Sequence, residues 1–459
     1  MTAATVRPSP GPPRPYQFPA FTRKRLASGV VVLVAPVRRL PVCTLSVVVD
    51  AGAELDPPGL EGCAVLTARA MEEGTRQHQG LEFTERLERI GAALSATADW
   101  DSASFSMSVM AERLPAALDL LAGVIREPAF PSNEIERLRE ERLSEIAQIR
   151  SEPRGLASET FSRVVYNADS RYAVPVGGSE TTVRALARED LVRHHGSFFT
   201  PARTVVIVAG DVVPQEVEGL VESAFTGWSV ATAPAEPRRG STGARDGRVF
   251  VLDREDAPQS ELRVGHPGVP RATPDYFPLI LLNAILGGLF SSRINLNLRE
   301  EHAYTYGAHS AFDWRRGAGP FTVRTAVESG VTAAAVTEIL KEIERLREEP
   351  VTDAELSLAR DYLSGVFPIR FETSLAIAAA LAQMVTYDLS PDYYDTYRDR
   401  ISEVTAADIL RVAGDHLQPS RLSVVVVGDA SQVLEPLRGM NMGEPVELQP
   451  VEAGQAISS

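Results

Sequence analysis

At 459 residues the chain exceeds one ordinary core, and about two to four domains are expected. A hydrophobic content of 44%, a charged content of 23% and a formal net charge of -15 fit a globular protein and argue against nucleic acid or an anionic membrane as partner. Cys43 and Cys63 are the only cysteines, which excludes a disulfide framework and fits a reducing, cytoplasmic compartment.

Residues 1–20 are Pro-rich and lack the apolar core of a secretory signal, so they read as a flexible arm. The longest unbroken apolar runs, Val30 to Val34 and Val424 to Val427, are strand-length, and no membrane span is expected. Val30 to Val34 and Cys43 to Asp50 read as strands, then Gly62 to Glu73 and Phe83 to Ile90 as helices. Ser95 to Met110 alternates as a hairpin turning near Asp99-Trp100-Asp101, with Phe105 and Met107 on one face. Leu114 to Ile125 is helical, and Pro131-Ser132-Asn133-Glu134 opens a long charged helix to about Ser151. Arg188-Glu189-Asp190 caps a further helix, and Thr204 to Val208 is a strand closed by Gly210-Asp211. Residues 231–247 have the Pro, Gly, Ser and Arg content of a linker.

Beyond the linker the pattern restarts. Gly247-Arg248-Val249-Phe250 repeats Gly29-Val30-Val31-Val32 at an offset of 218 residues, and the same offset carries Asp190-Leu191 onto Asp408-Ile409. It also carries Pro201-Ala202-Arg203 onto Pro419-Ser420-Arg421 and Gly210-Asp211 onto Gly428-Asp429. Ordered anchors at one offset imply two homologous α+β halves, 21–230 and 248–445, followed by a tail over 446–459. Each half is expected to pack helices on one face of a mixed or antiparallel sheet, and the two together to form a clamp-like half chamber.

Ordinary catalytic signatures are missing. The seven histidines include no H-E-x-x-H or H-x-x-E-H spacing, and adjacent His194 and His195 read as a surface or partly packed pair. Neither cysteine has the setting of a nucleophile. Leu286 to Ser310 stands out instead. It reads as the end of an apolar helix, a Gly287-Gly288 break, a short helix carrying Arg299, and a turn into a strand beginning near Tyr306. A guanidinium and a phenol reaching one cleft are groups that hold a peptide carbonyl and the oxyanion it becomes.

The two-fold repeat, the V-x-G-D strand ends and GGLFSSR…LREEHAYTY resemble the insulinase/pitrilysin-type metallopeptidases, over nearly all of residues 20 to 440. The likeness is greatest to the half-length group that includes processing peptidases and bacterial two-subunit members. The resemblance implies that Arg299 and Tyr306 match that family's Arg and Tyr that reach the scissile peptide. It also places the inverted zinc motif on this chain's Val65, Ala68 and Arg69, with the third ligand on Glu145. Val65 and Arg69 stand where the two histidines belong, and Ala68 stands where the base belongs. One carboxylate beside Arg69 does not hold catalytic zinc, and Glu145 is expected to pair with Arg142 one turn back. Ser95 replaces the Asn often found on the family's substrate-holding edge.

No metal or other cofactor is therefore expected in this chain, which alone is expected to be inactive. The resemblance implies a heterodimer with a homologous H-x-x-E-H subunit that binds zinc and hydrolyses a peptide substrate. Arg299 and Tyr306 would be donated to that partner's active site. The alternative is an inactive scaffold or peptide-binding protein with a peptidase fold, and a homodimeric peptide holder lies between the two.

Overall fold

Valine-rich runs bounded by turn residues build two six-stranded sheets, one in each half. The protein is described by a computed structural model over residues 15–229, 247–440 and 442–448. The first half contributes β1 (Thr22–Arg25), β2 (Val31–Pro36), β3 (Val42–Val49), β4 (Ser95–Ala98), β5 (Ala103–Met110) and β6 (Thr204–Gly210). The second contributes β7 (Val249–Asp253), β8 (Gln259–Pro267), β9 (Ala308–Phe312), β10 (Pro320–Glu328), β11 (Ser423–Gly428) and β12 (Val446–Leu448). Their orders, β1-β2-β6-β3-β5-β4 and β12-β7-β11-β8-β10-β9, superimpose strand for strand apart from the two outermost members. The α+β repeat read from the sequence is thus a structural repeat.

Strand register corrects one anchor by a single residue. Val31 pairs with Val205, whereas Val249 pairs with Val424. Val32 and Val34 face the first half's own helices, as Val249 and Val251 face those of the second. Val32, not Val31, is therefore the counterpart of Val249. In a strand, a slip of one residue would turn every side chain to the wrong face.

The expectation of helices on one face is incomplete, because each half also sends a helix across the other's sheet. Helix Pro153–Val165 lies on β8 and β11, packing Phe161 and Val164 against Val425 and Val427. Helix Ser374–Thr386 lies on β3 and β6, where its alanine-rich sequence permits close approach to Leu33, Val48 and Ile207. Both sheet faces are buried, which explains the nearly unbroken burial of β2, β6, β7 and β11.

Two boundaries also move. Tyr16 and Phe18, placed in the arm by the sequence, pack on the second half: Phe18 lies 4.6 Å from Tyr394 and 5.2 Å from Phe371, ring to ring. Burying such a ring contributes about 1.5–3 kcal/mol, enough to anchor that end of the segment. Val446–Leu448, placed in the tail, pair in parallel with β7 as β12. The linker 231–247 lies outside the described residues except Gly247, whose amide donates to the Ser420 carbonyl at 3.1 Å. The run Tyr276–Glu301 has the length and apolarity of a membrane span, against expectation, but 56% of its apolar window is buried within the protein.

The halves also meet through the hairpin turn at Asp99-Trp100-Asp101. Arg315 stacks over Trp100 at 4.1 Å and over Tyr172 at 4.5 Å. The Arg316 amide donates to both Asp101 carboxylate oxygens at 3.1 and 3.2 Å, and its guanidinium donates to Asp50. Burial pushes the Asp101 carboxyl up to about 7, against the Arg316 amide bond that favours its ionised form. A raised carboxyl contributes stability that is complete below the unfolded value of 3.8 and is lost as pH rises to about 7. Asp101→Asn is accordingly expected to flatten the loss of stability over that window. Urea unfolding at a series of pH values tests this, and an unchanged slope in the variant would refute it.

Candidate functional site

Tyr276–Asn283 begins an apolar helix that passes into a π-helical stretch, Ala284–Gly288, before the chain breaks at Leu289. The glycines permit the contact that positions the site. A Cβ on Gly287 would lie 2.6 Å from Ser310 Oγ and 2.7 Å from the Ser310 amide of β9. Gly287→Ala is expected to destabilise by about 1–3 kcal/mol, because backbone cannot yield as a side chain can. A urea midpoint equal to that of the unsubstituted chain would contradict this account.

After the break, Arg293–Asn295 is helical and Leu296–Glu301 is again π-helical, carrying Arg299. Half-buried Arg293 donates to Glu355 at 2.6 and 3.1 Å. Burial alone would raise the Glu355 carboxyl, but bonds from Arg293 and Thr352 overcome it and hold it at about 2. Asn295 Oδ1 accepts from the Ala308 amide at 2.9 Å, tying this helix to the start of β9. Between them the chain turns at Ala303, a non-glycine residue at φ 55°. An L-residue there costs about 1–2 kcal/mol, and strain of this kind is concentrated at functional sites.

That turn delivers Tyr306 with 93% of its surface exposed. It sits in the loop before β9 rather than in the strand, pinned by Thr305 Oγ1, which accepts from the Gly307 amide at 3.1 Å. Tyr306 and Phe290 line one cleft of about 980 Å³, roofed by helix Pro153–Val165. The Arg299 guanidinium rests 4.3 Å above the Phe290 ring, with Glu300 at 3.6 Å. Tyr306 thus lines the cleft, whereas Arg299 does not line it and touches it only through the Phe290 ring.

The four positions that the family resemblance assigns to the zinc motif cluster in the first half. Val65, Ala68 and Arg69 lie on helix Cys63–Met71, and Glu145 lies on the adjoining helix Ser132–Ser151. Arg69 forks onto Glu145 at 2.9 and 3.2 Å, and Arg142 adds a third bond at 2.9 Å. Burial raises the Glu145 carboxyl, but the two guanidiniums outweigh it and hold it below its ordinary range. The expected Arg142 pairing is present, with Arg69 as a second cation. These residues do not fit zinc: the single carboxylate is neutralised twice, and Val65 and Ala68 supply no ligand atom.

The neighbouring sheet edge is also occupied. Glu72 accepts from the outward amide of Ala96 in edge strand β4 at 2.5 Å, on the Ser95-Ala96-Thr97 segment where an added peptide strand would pair. His194 is buried and His195 half-buried, which is the partly packed alternative of the sequence reading. Burial, foremost, lowers both to about 4, and they are bonded to the carbonyls of Ala51 and Ile125 at 3.4 and 2.8 Å.

Residues 32–172 match the profile described as Insulinase (Peptidase family M16), and residues 185–363 match that described as Peptidase M16 inactive domain. The chain belongs to peptidase family M16. A protein of Streptomyces coelicolor described as an uncharacterized zinc protease is 25% identical over 415 residues, covering 88% of this chain and 89% of that protein. The mitochondrial-processing peptidase subunit beta of Saccharomyces cerevisiae is 22% identical, covering 91% and 93%. A crystal structure from Pseudomonas fluorescens, described as a peptidase M16 inactive domain, shares the fold with a TM-score of 0.83 at 22% identity, covering 89% of this chain and 98% of that one. A protease structure from Helicobacter pylori does so with a TM-score of 0.83 at 19% identity, covering 90% and 100%.

Within this M16 chain, sequence reading missed Phe290 and Glu72. The exposure of Phe290, 70%, is a signal only the fold supplies. Glu72 follows the helix that carries the degenerate motif, and nothing in its sequence neighbourhood points to a partner in β4.

Proposed function

We propose that this M16 chain is the non-catalytic subunit of a heterodimeric zinc metallopeptidase. A homologous partner with H-x-x-E-H binds the zinc and supplies the base that activates water for attack on the peptide carbonyl. Arg299 and Tyr306 enter the partner's site, where guanidinium and phenol donate hydrogen bonds to the carbonyl oxygen as it becomes an oxyanion. The observation that carries this reading is the presentation of Tyr306 at 93% exposure beside Phe290-supported Arg299, in a chain whose own metal positions close on an Arg69–Glu145 ion pair.

A structural scaffold is the second reading, and Glu72 on the β4 edge favours it, since that contact removes one way of holding peptide. Native purification of the tagged chain, with partner identification and zinc quantification, separates the two. A stoichiometric H-x-x-E-H partner with about one zinc per pair is expected. Recovery of a zinc-free homodimer alone would overturn the proposal.

A further inference from the structure

The cleft beside Tyr306 carries an unbalanced cation. On β10, Arg324 stands directly across from Arg263 of β8 and from His309 of β9, so all three share one sheet face. Opposed like charges destabilise a sheet unless something neutralises them. Arg263 is neutralised: it is buried, donates to Glu261 at 2.9 Å, and is further bonded to Ser158 Oγ and the Arg154 carbonyl. Arg324 is exposed, and among the described residues no carboxylate or other acceptor engages it. His309 is held below its ordinary value by burial and then by Arg324, so at neutral pH it adds no charge.

The cleft therefore holds Arg154, Arg263 and Arg324 against Glu152 and Glu261, in a chain whose net charge is -15. A local positive excess within an acidic protein suits a single carboxylate better than a polyanion, which the whole-chain field repels. The planar guanidinium of Arg324 offers that carboxylate a bidentate seat. Tyr306 and Phe290 supply apolar rings for the flanking residues.

We propose that this cleft selects acidic peptides by seating a peptide carboxylate on Arg324. This rests on the peptide-handling part of the proposed function and is independent of any donation of Arg299 and Tyr306 to a partner. The test is fluorescence anisotropy of the full chain with labelled Gly/Ser peptides that contain Tyr and Leu. One set carries Glu and the other Gln at a matched position, each with a free or amidated C-terminus. A free carboxylate is expected to tighten binding about tenfold, the ordinary worth of a charge-assisted hydrogen bond. Preference following Glu assigns a side chain, and preference following the free terminus assigns the C-terminal carboxylate. Arg324→Ala, at an exposed position, is expected to abolish the preference, and Arg324→Lys to keep part of it. Equal binding of all four peptides, or a preference that survives Arg324→Ala, would overturn the inference alone. No binding of any peptide would overturn it together with the peptide-handling reading.

Discussion

In the proposed heterodimer, Arg299→Ala and Tyr306→Phe are each expected to lower kcat about 10²–10³-fold while leaving subunit association intact. Loss of one donor aimed at a developing oxyanion costs about 3–4 kcal/mol of transition-state stabilisation, since no water replaces it in a closed site. Neither side chain is part of the fold's framework. Tyr306 is 93% exposed, and the contacts of Arg299 are a ring and an adjacent Glu300 carboxylate. A fall in activity would thus not be confused with unfolding. Phe290→Ala provides a graded control. It removes a cation–π contact worth about 0.5–1 kcal/mol, so it should cost far less than removal of Arg299 itself. Single-turnover cleavage by the reconstituted pair, together with its assembly by light scattering, makes the measurement. Full turnover in both variants would sink the donation of these residues.

The repeat was legible because turn and strand residues recur in order: Pro201-Ala202-Arg203 and Pro419-Ser420-Arg421 form the turns that lead into β6 and β11, and Gly210 and Gly428 end those strands. The crossing helices were not. Nothing local in Pro153–Val165 or Ser374–Thr386 says which half's sheet will bury it, because an apolar stripe specifies burial and not the partner. The one-residue slip at Val31 and Val32 was hidden for a related reason. Both strands are buried on both faces, so the alternation that fixes register in a half-exposed strand is absent. Tyr16 and Phe18 were read as arm because a Pro-rich neighbourhood outweighed two rings whose receptor lies some 350 residues away. The zinc motif that the family resemblance assigns to these positions was legible as degenerate because valine and alanine have no ligand atoms. Its replacement by an Arg69–Glu145–Arg142 cluster was visible only in part, through the i,i+3 spacing of Arg142 and Glu145.

Zinc is expected to bind when Val65→His, Ala68→Glu and Arg69→His are combined, at about one ion per chain, where the unsubstituted chain binds none. The argument is geometric. Arg69 reaches Glu145 in a bidentate pair at 2.9 and 3.2 Å, so position 69 of helix Cys63–Met71 already faces that carboxylate, and position 65 lies one turn before it. Arg69→His removes a cation from the prospective metal position and supplies a ligand in its place, while Arg142 remains on one Glu145 oxygen and leaves the other available. At free zinc about 100-fold above Kd, binding should add about 2.7 kcal/mol of stability, visible as a metal-dependent rise in Tm. Adding Glu145→Ala should abolish both the ion and the rise. The gain should not extend to efficient peptide hydrolysis, because Glu72 still occupies the Ala96 amide on the edge where substrate would pair. If the triple variant folds, as judged by an unchanged urea transition without metal, and still takes up no zinc, then the two helices no longer present a metal-binding geometry. Efficient hydrolysis by that variant would show instead that the Glu72 contact yields to substrate.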